Sequence, residues 1–224
     1  MKNLRFSLFL LAVVFSTLAC SINFGDRQSV EGSGVLALQE RTVKTFQAIE
    51  IAGSADVDVS IGEPQSVIIE TDDNILPLIE TEVRGDTLVI RTVSNTSIIS
   101  EHPIHVIIIV KSLDTVRIAG SGNMNIEGLA AEKLQIELPG SGNITATGTA
   151  ERVVVSLGGS GNILCGDLAA QSAEININGS GNVTVDTSES LDVHISGSGN
   201  VHYRGNPAIV NKSVSGSGSV VSIP

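Results

Sequence analysis

The tetrapeptide Gly-Ser-Gly-Asn constrains this chain more than any other feature. It begins at Gly120, Gly140, Gly159, Gly179 and Gly197 and closes on Asn123, Asn143, Asn162, Asn182 and Asn200. A sixth copy runs from Gly216 to Ser219, with Ser in place of Asn. The starts lie 20, 19, 20, 18 and 19 residues apart, and a degenerate copy, Gly53-Ser54-Ala55-Asp56, precedes them. A fixed period of this length signals stacked copies of one small structural unit.

The flanks of the copies are regular. Two residues before the first Gly stand Ile118, Leu138, Leu157, Ile177, Ile195 and Val214; four before stand Val116, Ile136, Val155, Ile175, Val193 and Lys212. One residue after the Asn stand Met124, Ile144, Ile163, Val183, Val201 and Val220; three after stand Ile126, Ala146, Cys165, Val185, Tyr203 and Ser222. Period two on both sides of a turn predicts two strands per copy, each with one face inward. At roughly 3.3 Å per residue a copy has a contour near ~60 Å, which suits a coil that rises one strand spacing, about 4.8 Å, per turn. A propeller blade needs about twice this length. The expected fold is all-β, a parallel β-solenoid. Its glycines are expected to supply backbone angles that side chains forbid, its Ser to bond locally within the turn, and its stacked Asn to form a ladder. A second turn is expected at Gly128, Gly148, Gly166 and Gly205.

Hydrophobic residues make up 42% of the chain but aromatics only 3%, so the core must be aliphatic, as thin stacked layers require. Residues 112–224 hold the regular copies. Within 43–111, Gln47–Ile51, Asp56–Ile61, Val67–Thr71, Thr87–Thr92 and Ile104–Val110 read as strands, and Asp73–Glu80 as a short helix or loop. Residues 93–103 read as a polar, mobile segment. This less regular half is expected to form longer rungs that cap the open edge of the stack. Lys212 and Ser222, at inward positions of the last copy, are expected to cap the other end.

The N-terminus carries an address. Lys2 and Arg5 precede an apolar run, Leu8–Phe15, too short to span a bilayer. With Leu18-Ala19-Cys20 following, residues 1–19 read as a secretory signal whose end resembles the lipobox of bacterial lipoproteins. That resemblance implies diacylglycerol on Cys20, residues 20–42 as a tether, and a protein exported and anchored at the cell membrane or outer membrane, facing away from the cytoplasm. Without Lys2 and Arg5, 11 basic residues face 24 acidic ones, a net charge of −13, which argues against nucleic acid as a partner. With Cys20 acylated, Cys165 has no partner for an intrachain disulfide.

Three phrases precede the repeats: Phe46-Gln47-Ala48-Ile49-Glu50-Ile51, Glu70-Thr71-Asp72-Asp73-Asn74-Ile75 and Gly85-Asp86-Thr87-Leu88-Val89-Ile90. Together with the serial turns they resemble the bacterial head GIN domain family, described as autotransporter adhesin heads. The resemblance covers residues 43–224. It implies a right-handed β-solenoid, secreted or lipid-anchored, and brings no catalytic residues with it.

The residues themselves offer no reactive constellation. A phosphate-cradling glycine loop needs a helix after it, and here a strand follows. Calcium-binding β-rolls use a nine-residue period with Asp at the turn, whereas these turns carry neutral Asn; the Asp72-Asp73-Asn74 stretch reads as a solvated turn. His102, His105, His194 and His202 lack metal-ligand spacing. The outward acids Glu127, Glu137, Asp167, Glu174 and Asp186 are scattered, and Arg117, Arg152 and Arg204 do not recur in register, as a polysaccharide-cleaving β-helix would need. Cys165 reads as an inert core thiol. The expectation is a non-enzymatic envelope protein without cofactors, bound to the membrane through Cys20. Its solenoid would serve as adhesin, ligand-binding surface or scaffold for a glycan or protein. A carbohydrate-active enzyme and an envelope-stress or signalling partner are the alternatives.

Overall fold

The computed structural model describes residues 28–224, so Cys20 and the whole signal segment lie outside the described residues. Seventeen strands run through those residues. Nine precede the first Gly-Ser-Gly-Asn by some distance: β1 (Gln28–Glu31), β2 (Leu36–Glu40), β3 (Ala48–Ala52), β4 (Asp56–Ile61), β5 (Ser66–Asp72), β6 (Ile79–Arg84), β7 (Thr87–Thr92), β8 (Thr96–Ile99) and β9 (His105–Val110). The remainder are β10 (Thr115–Ile118), β11 (Met124–Leu138), β12 (Asn143–Leu157), β13 (Asn162–Ile177), β14 (Asn182–Ile195), β15 (Asn200–Arg204), β16 (Ile209–Val214) and β17 (Val220–Ser222). One 3-10 turn, Leu76–Leu78, lies between β5 and β6. No helix among the described residues is long and apolar enough to cross a membrane.

Fifteen of the strands form one large sheet, and along the repeats every pairing is parallel. Equivalent residues of successive copies face one another. Ile136 pairs with Val155, Val155 with Ile175, Ile175 with Val193, and Val193 with Lys212. The side chains of these columns are buried from Val116 through Val193, and the two columns after the Asn are buried through Val201 and Val185. Each fully buried Ile or Leu contributes about 1.5–3 kcal/mol by leaving water, so the copies are held chiefly by contact with their neighbours. Leu134, Val153, Ala173 and Leu191 add a fifth buried column that the flanking pattern did not reveal.

The two strands expected per copy are one. β11 to β14 each run unbroken for 14–16 residues from one corner to the next. The expected second turn is a bend inside the strand, where the ladder shifts register between Ile126 and Leu129 and between Thr145 and Thr147. Gly128 (φ 72°) and Gly148 (φ 127°) take backbone angles that L side chains resist, which turns the chain without ending its pairing.

At the Gly-Ser-Gly-Asn corners the reason for glycine differs from the expected one. These glycines do not have positive φ. They are close-approach positions: a Cβ on any of them, from Gly120 to Gly218, would stand 1.6–2.1 Å from a carbonyl oxygen of the preceding copy. The corner Ser also acts differently. Its backbone N–H, not its hydroxyl, is engaged, donating to the first Gly carbonyl one copy earlier at 2.9–3.2 Å, as Ser121 does to Gly53 and Ser160 to Gly140.

The N-terminal half closes one end. β3 and β4, joined by Gly53-Ser54, lie beside β10 and the first part of β11 as the parallel base of the stack. β7 and β9, later in the chain, pair parallel on the outer side of β3 and β4. Antiparallel strands then end the series, β6 on β7, β5 on β9 and β2 on β5. β6 was absent from the sequence reading, which placed helix or loop across its start. Two further differences concern segments read as unstructured. Of the tether 20–42, residues 28–31 and 36–40 are strands. Of the mobile segment 93–103, residues 96–99 are β8, which pairs with β1 in a separate two-stranded sheet. Short polar strands such as Gln-Ser-Val-Glu carry no legible alternation; long-range pairing makes them strands.

At the other end Val214 and Val221 are exposed, and Lys212 holds its ammonium 5.1 Å from the Tyr203 ring centroid. A charge at an inward-register position of the last copy discourages further strand addition.

Two alanine substitutions three residues apart separate close approach from ordinary glycine flexibility. Gly161→Ala places Cβ 1.7 Å from the Gly142 oxygen and is expected to cost at least about 3 kcal/mol. At Gly158 the nearest atom to a Cβ is 3.8 Å away, and Ala119 stands at the equivalent place, so Gly158→Ala should stay within about 1 kcal/mol of the parent. Equal urea midpoints for the two variants would refute the close-approach account.

Candidate functional site

The sequence-predicted turn residues are brought together in one line along the stack. Asn143 Nδ2 donates to Asn123 Oδ1 at 2.9 Å, Asn162 to Asn143 at 3.0 Å, Asn182 to Asn162 at 3.1 Å and Asn200 to Asn182 at 3.0 Å. The same acceptor oxygens also take backbone N–H groups, from Asn143, Asn162 and Asn182. Every amide in the ladder points its N–H toward the N-terminal end. There Asp56 accepts from Asn123 through both Nδ2 (2.8 Å) and the backbone N–H (2.9 Å). A carboxylate suits that end, since it meets the row's unpaired donors with negative charge. At the far end the Ser219 hydroxyl donates to Asn200 at 2.8 Å. Each ladder oxygen and one N–H of each side-chain amide is engaged within the ladder, which makes these residues a structural part.

The outward columns present no reactive pair. Arg117 meets Glu137 at 2.6 Å and Glu50 at 3.6 Å, Arg152 meets Glu174 at 2.6 Å, and Arg204 meets Asp167 at 3.3 Å. The acids weighed for glycoside chemistry are thus partly occupied in exposed ion pairs between copies, each worth at most about 1 kcal/mol. Among the described residues no three His, Cys, Asp or Glu side chains converge as metal ligands would. Cys165 is buried, and burial pushes its thiol up to about 12, so the nucleophilic thiolate is suppressed. His105 rests on Asp58 at 2.8 Å. An open groove of about 570 Å³ follows the bend of β11 to β13, lined by Ala131, Ala150, Ala170, Glu132 and Glu151.

The structure assembles one cluster that the sequence reading missed. Asp72 is fully buried at the end of β5. Its Oδ1 lies 2.7 Å from His102 Nδ1, and its Oδ2 accepts from the Ser100 hydroxyl. The backbone N–H of His102 donates to Ser100 Oγ at 3.0 Å. The serine bonds the carboxylate rather than the imidazole, so this is not a nucleophilic triad. Hydrogen bonds from Ser100 and His102 hold the Asp72 carboxyl below its ordinary 3.8, against the opposing effect of burial, with help from the His102 charge and the Gly34 N–H. The strands beside it are fastened by the same turn. Ser33 N–H donates to Asn74 Oδ1 at 2.9 Å, and Asn74 Nδ2 to Glu31 O at 2.8 Å. A Cβ at Gly32 would fall 1.8 Å from Asp72 Oδ2. Asp72-Asp73-Asn74, read as a solvated turn, is a clasp over the incoming chain. The only local signal was Thr71, a hydroxyl where the alternation Val67, Ile69 called for an aliphatic.

Comparison with known proteins agrees with this geometry. A family model described as "Putative auto-transporter adhesin, head GIN domain" matches residues 45–207. The structure of a "putative adhesin" from Bacteroides fragilis superposes with a TM-score of 0.72 at 24% identity, covering 87% of this chain and 100% of that one. A "putative lipid binding protein" from Parabacteroides distasonis gives 0.59 at 26% identity over 88% and 100% of the two chains. A "putative adhesin" from Parabacteroides merdae gives 0.54 at 20% identity over 88% and 99%. No curated protein matches the chain.

The clasp makes a pH prediction. A carboxyl lowered by folding contributes stability that is fully present above 3.8 and is lost as pH falls through its folded-state value, which lies lower. Amide hydrogen exchange, corrected for intrinsic rates, should show residues 28–40 protected at about pH 6 and released below 3.8 before the repeats open. Simultaneous release of both regions would contradict a local clasp.

Proposed function

The chain belongs to the head GIN domain family, and on that premise we propose that it is a non-enzymatic, adhesin-like protein of the cell envelope. In this reading the stacked copies form a right-handed β-solenoid, a lipid on Cys20 holds it to the membrane, and its outward side chains meet a glycan or protein. The observation that carries the reading is the register of the outward columns. Asn125, Thr145, Leu164, Thr184 and His202 stand in line, one strand spacing apart, on a framework fixed by backbone pairing. A rigid row of mixed polar and apolar groups suits recognition, because ordering costs are met on folding rather than on binding. Three of the outward acids, Glu137, Glu174 and Asp167, are paired with arginines of other copies.

Three measurements test this. The purified protein, presented on a glycan array and to host cells, is expected to bind saturably to at least one surface; blank results on both would contradict adhesion. Turnover of a polysaccharide, abolished by a single carboxylate substitution, would instead establish the enzymatic alternative. Cys20→Ser is expected to move the protein from the membrane to the soluble fraction, and unchanged membrane retention would refute the anchor.

A further inference from the structure

Between β7 and β9 the chain makes an excursion, residues 93–104, beside the first corner of the stack. Between this excursion and the corner lies a cavity of about 550 Å³. Its polar lining comes from Ser54 on the corner and from Asn95, Thr96, Ser97 and His102 on the excursion. Val93, Ile98 and Ile104 supply apolar surface beside them. None of the described residues lining it is a carboxylate, a lysine or an arginine.

The wall of this cavity is built rather than loose. β8 pairs with β1 over four residues. The Gln28 N–H donates to Asn95 O at 2.9 Å, and the Gly32 N–H to Ile99 O at 2.8 Å. Asp72, its side chain 1% exposed, fixes His102 from behind at 2.7 Å. An ionised carboxylate can only accept, so Nδ1 carries the proton, which leaves Nε2 as the ring's free polar atom. Among the described residues Nε2 makes no hydrogen bond, and the imidazole is 34% exposed where it lines the cavity. A buried acid thus orients one ring nitrogen in a pocket whose other polar groups are hydroxyls and amides.

We propose that this cavity binds one neutral saccharide unit, with His102 Nε2 and the Ser54, Asn95 and Ser97 side chains bonding sugar hydroxyls and Ile98 and Ile104 meeting the C–H face of the ring. The absence of fixed charge in the lining disfavours anions and cations alike. Hydroxyls and amides both give and accept hydrogen bonds, as a polyol demands. The volume falls within the range of about 300–1,000 Å³ typical of small-ligand sites. The proposal deepens the surface-binding reading above and rests on it for the origin of the sugar.

The test is saturation-transfer NMR on the full chain in a zwitterionic detergent, with galactose, mannose, fucose and N-acetylglucosamine as separate probes. At least one sugar should receive saturation. Ser97→Trp and Ser54→Phe fill the cavity from opposite walls, and in each variant that keeps the parent unfolding temperature the signal should fall at least tenfold. Lys111→Trp, at an exposed position beyond the far end of β9, should leave it unchanged. Silence from all four sugars, or an undiminished signal in the folded cavity variants, would overturn the proposal. Host-cell adhesion with all four sugars silent would overturn the saccharide site and leave the adhesin reading standing. Saturation transfer without adhesion would do the reverse.

Discussion

At each corner of this molecule a backbone carbonyl of one copy occupies the space where a side chain of the next copy would begin. That contact is possible only because both glycines lack a Cβ, and the rest of the structure is arranged around it. It brings the corner N–H of each copy onto the Gly carbonyl before it. It brings the Asn amides to 2.9–3.1 Å, close enough to bond in series. It also sets the register in which Val155 lies over Ile136 and Ile175 over Val155, so that thin aliphatic layers exclude water without aromatic side chains.

How much of this was legible depended on whether the cause was local. The inward columns could be read because period two and period nineteen are both written in the residues, and the structure buries them from Val116 to Val193. Even the failures of the pattern at Lys212 and Ser222 fell at the exposed last copy. Close approach was misread as turn flexibility, since a glycine in sequence looks the same whichever need it serves. β1, β2 and β8 went unread because strands such as Gln28–Glu31 and Thr96–Ile99 exist only through partners 68 residues apart in the chain. The Asp72–His102 contact spans 30 residues, and no spacing rule links its members.

The two ends of the stack are finished by different means. At the C-terminal end the pattern fades into exposed Val214 and an inward lysine, which guards the edge by charge. At the N-terminal end antiparallel strands stop the parallel series, and β1 and β2 are folded into the cap beside the Asp72 clasp. For an adhesin-like protein that arrangement matters, because backbone pairing holds the outward columns of the described residues in fixed register with one another.

The central claim is that each copy is a unit stacked on the last by equivalent contacts, and excising a copy tests it most directly. Deleting residues 159–178 joins Gly158 to Gly179 and places Asn182 over Asn143, with each aliphatic column shortened by one member. Circular dichroism with thermal unfolding should report a β-rich protein that melts cooperatively. Deleting residues 159–168, half a copy, should abolish the transition because columns and corners no longer coincide. Loss of cooperative unfolding in the whole-copy deletion, or its survival in the half-copy deletion, would contradict the account.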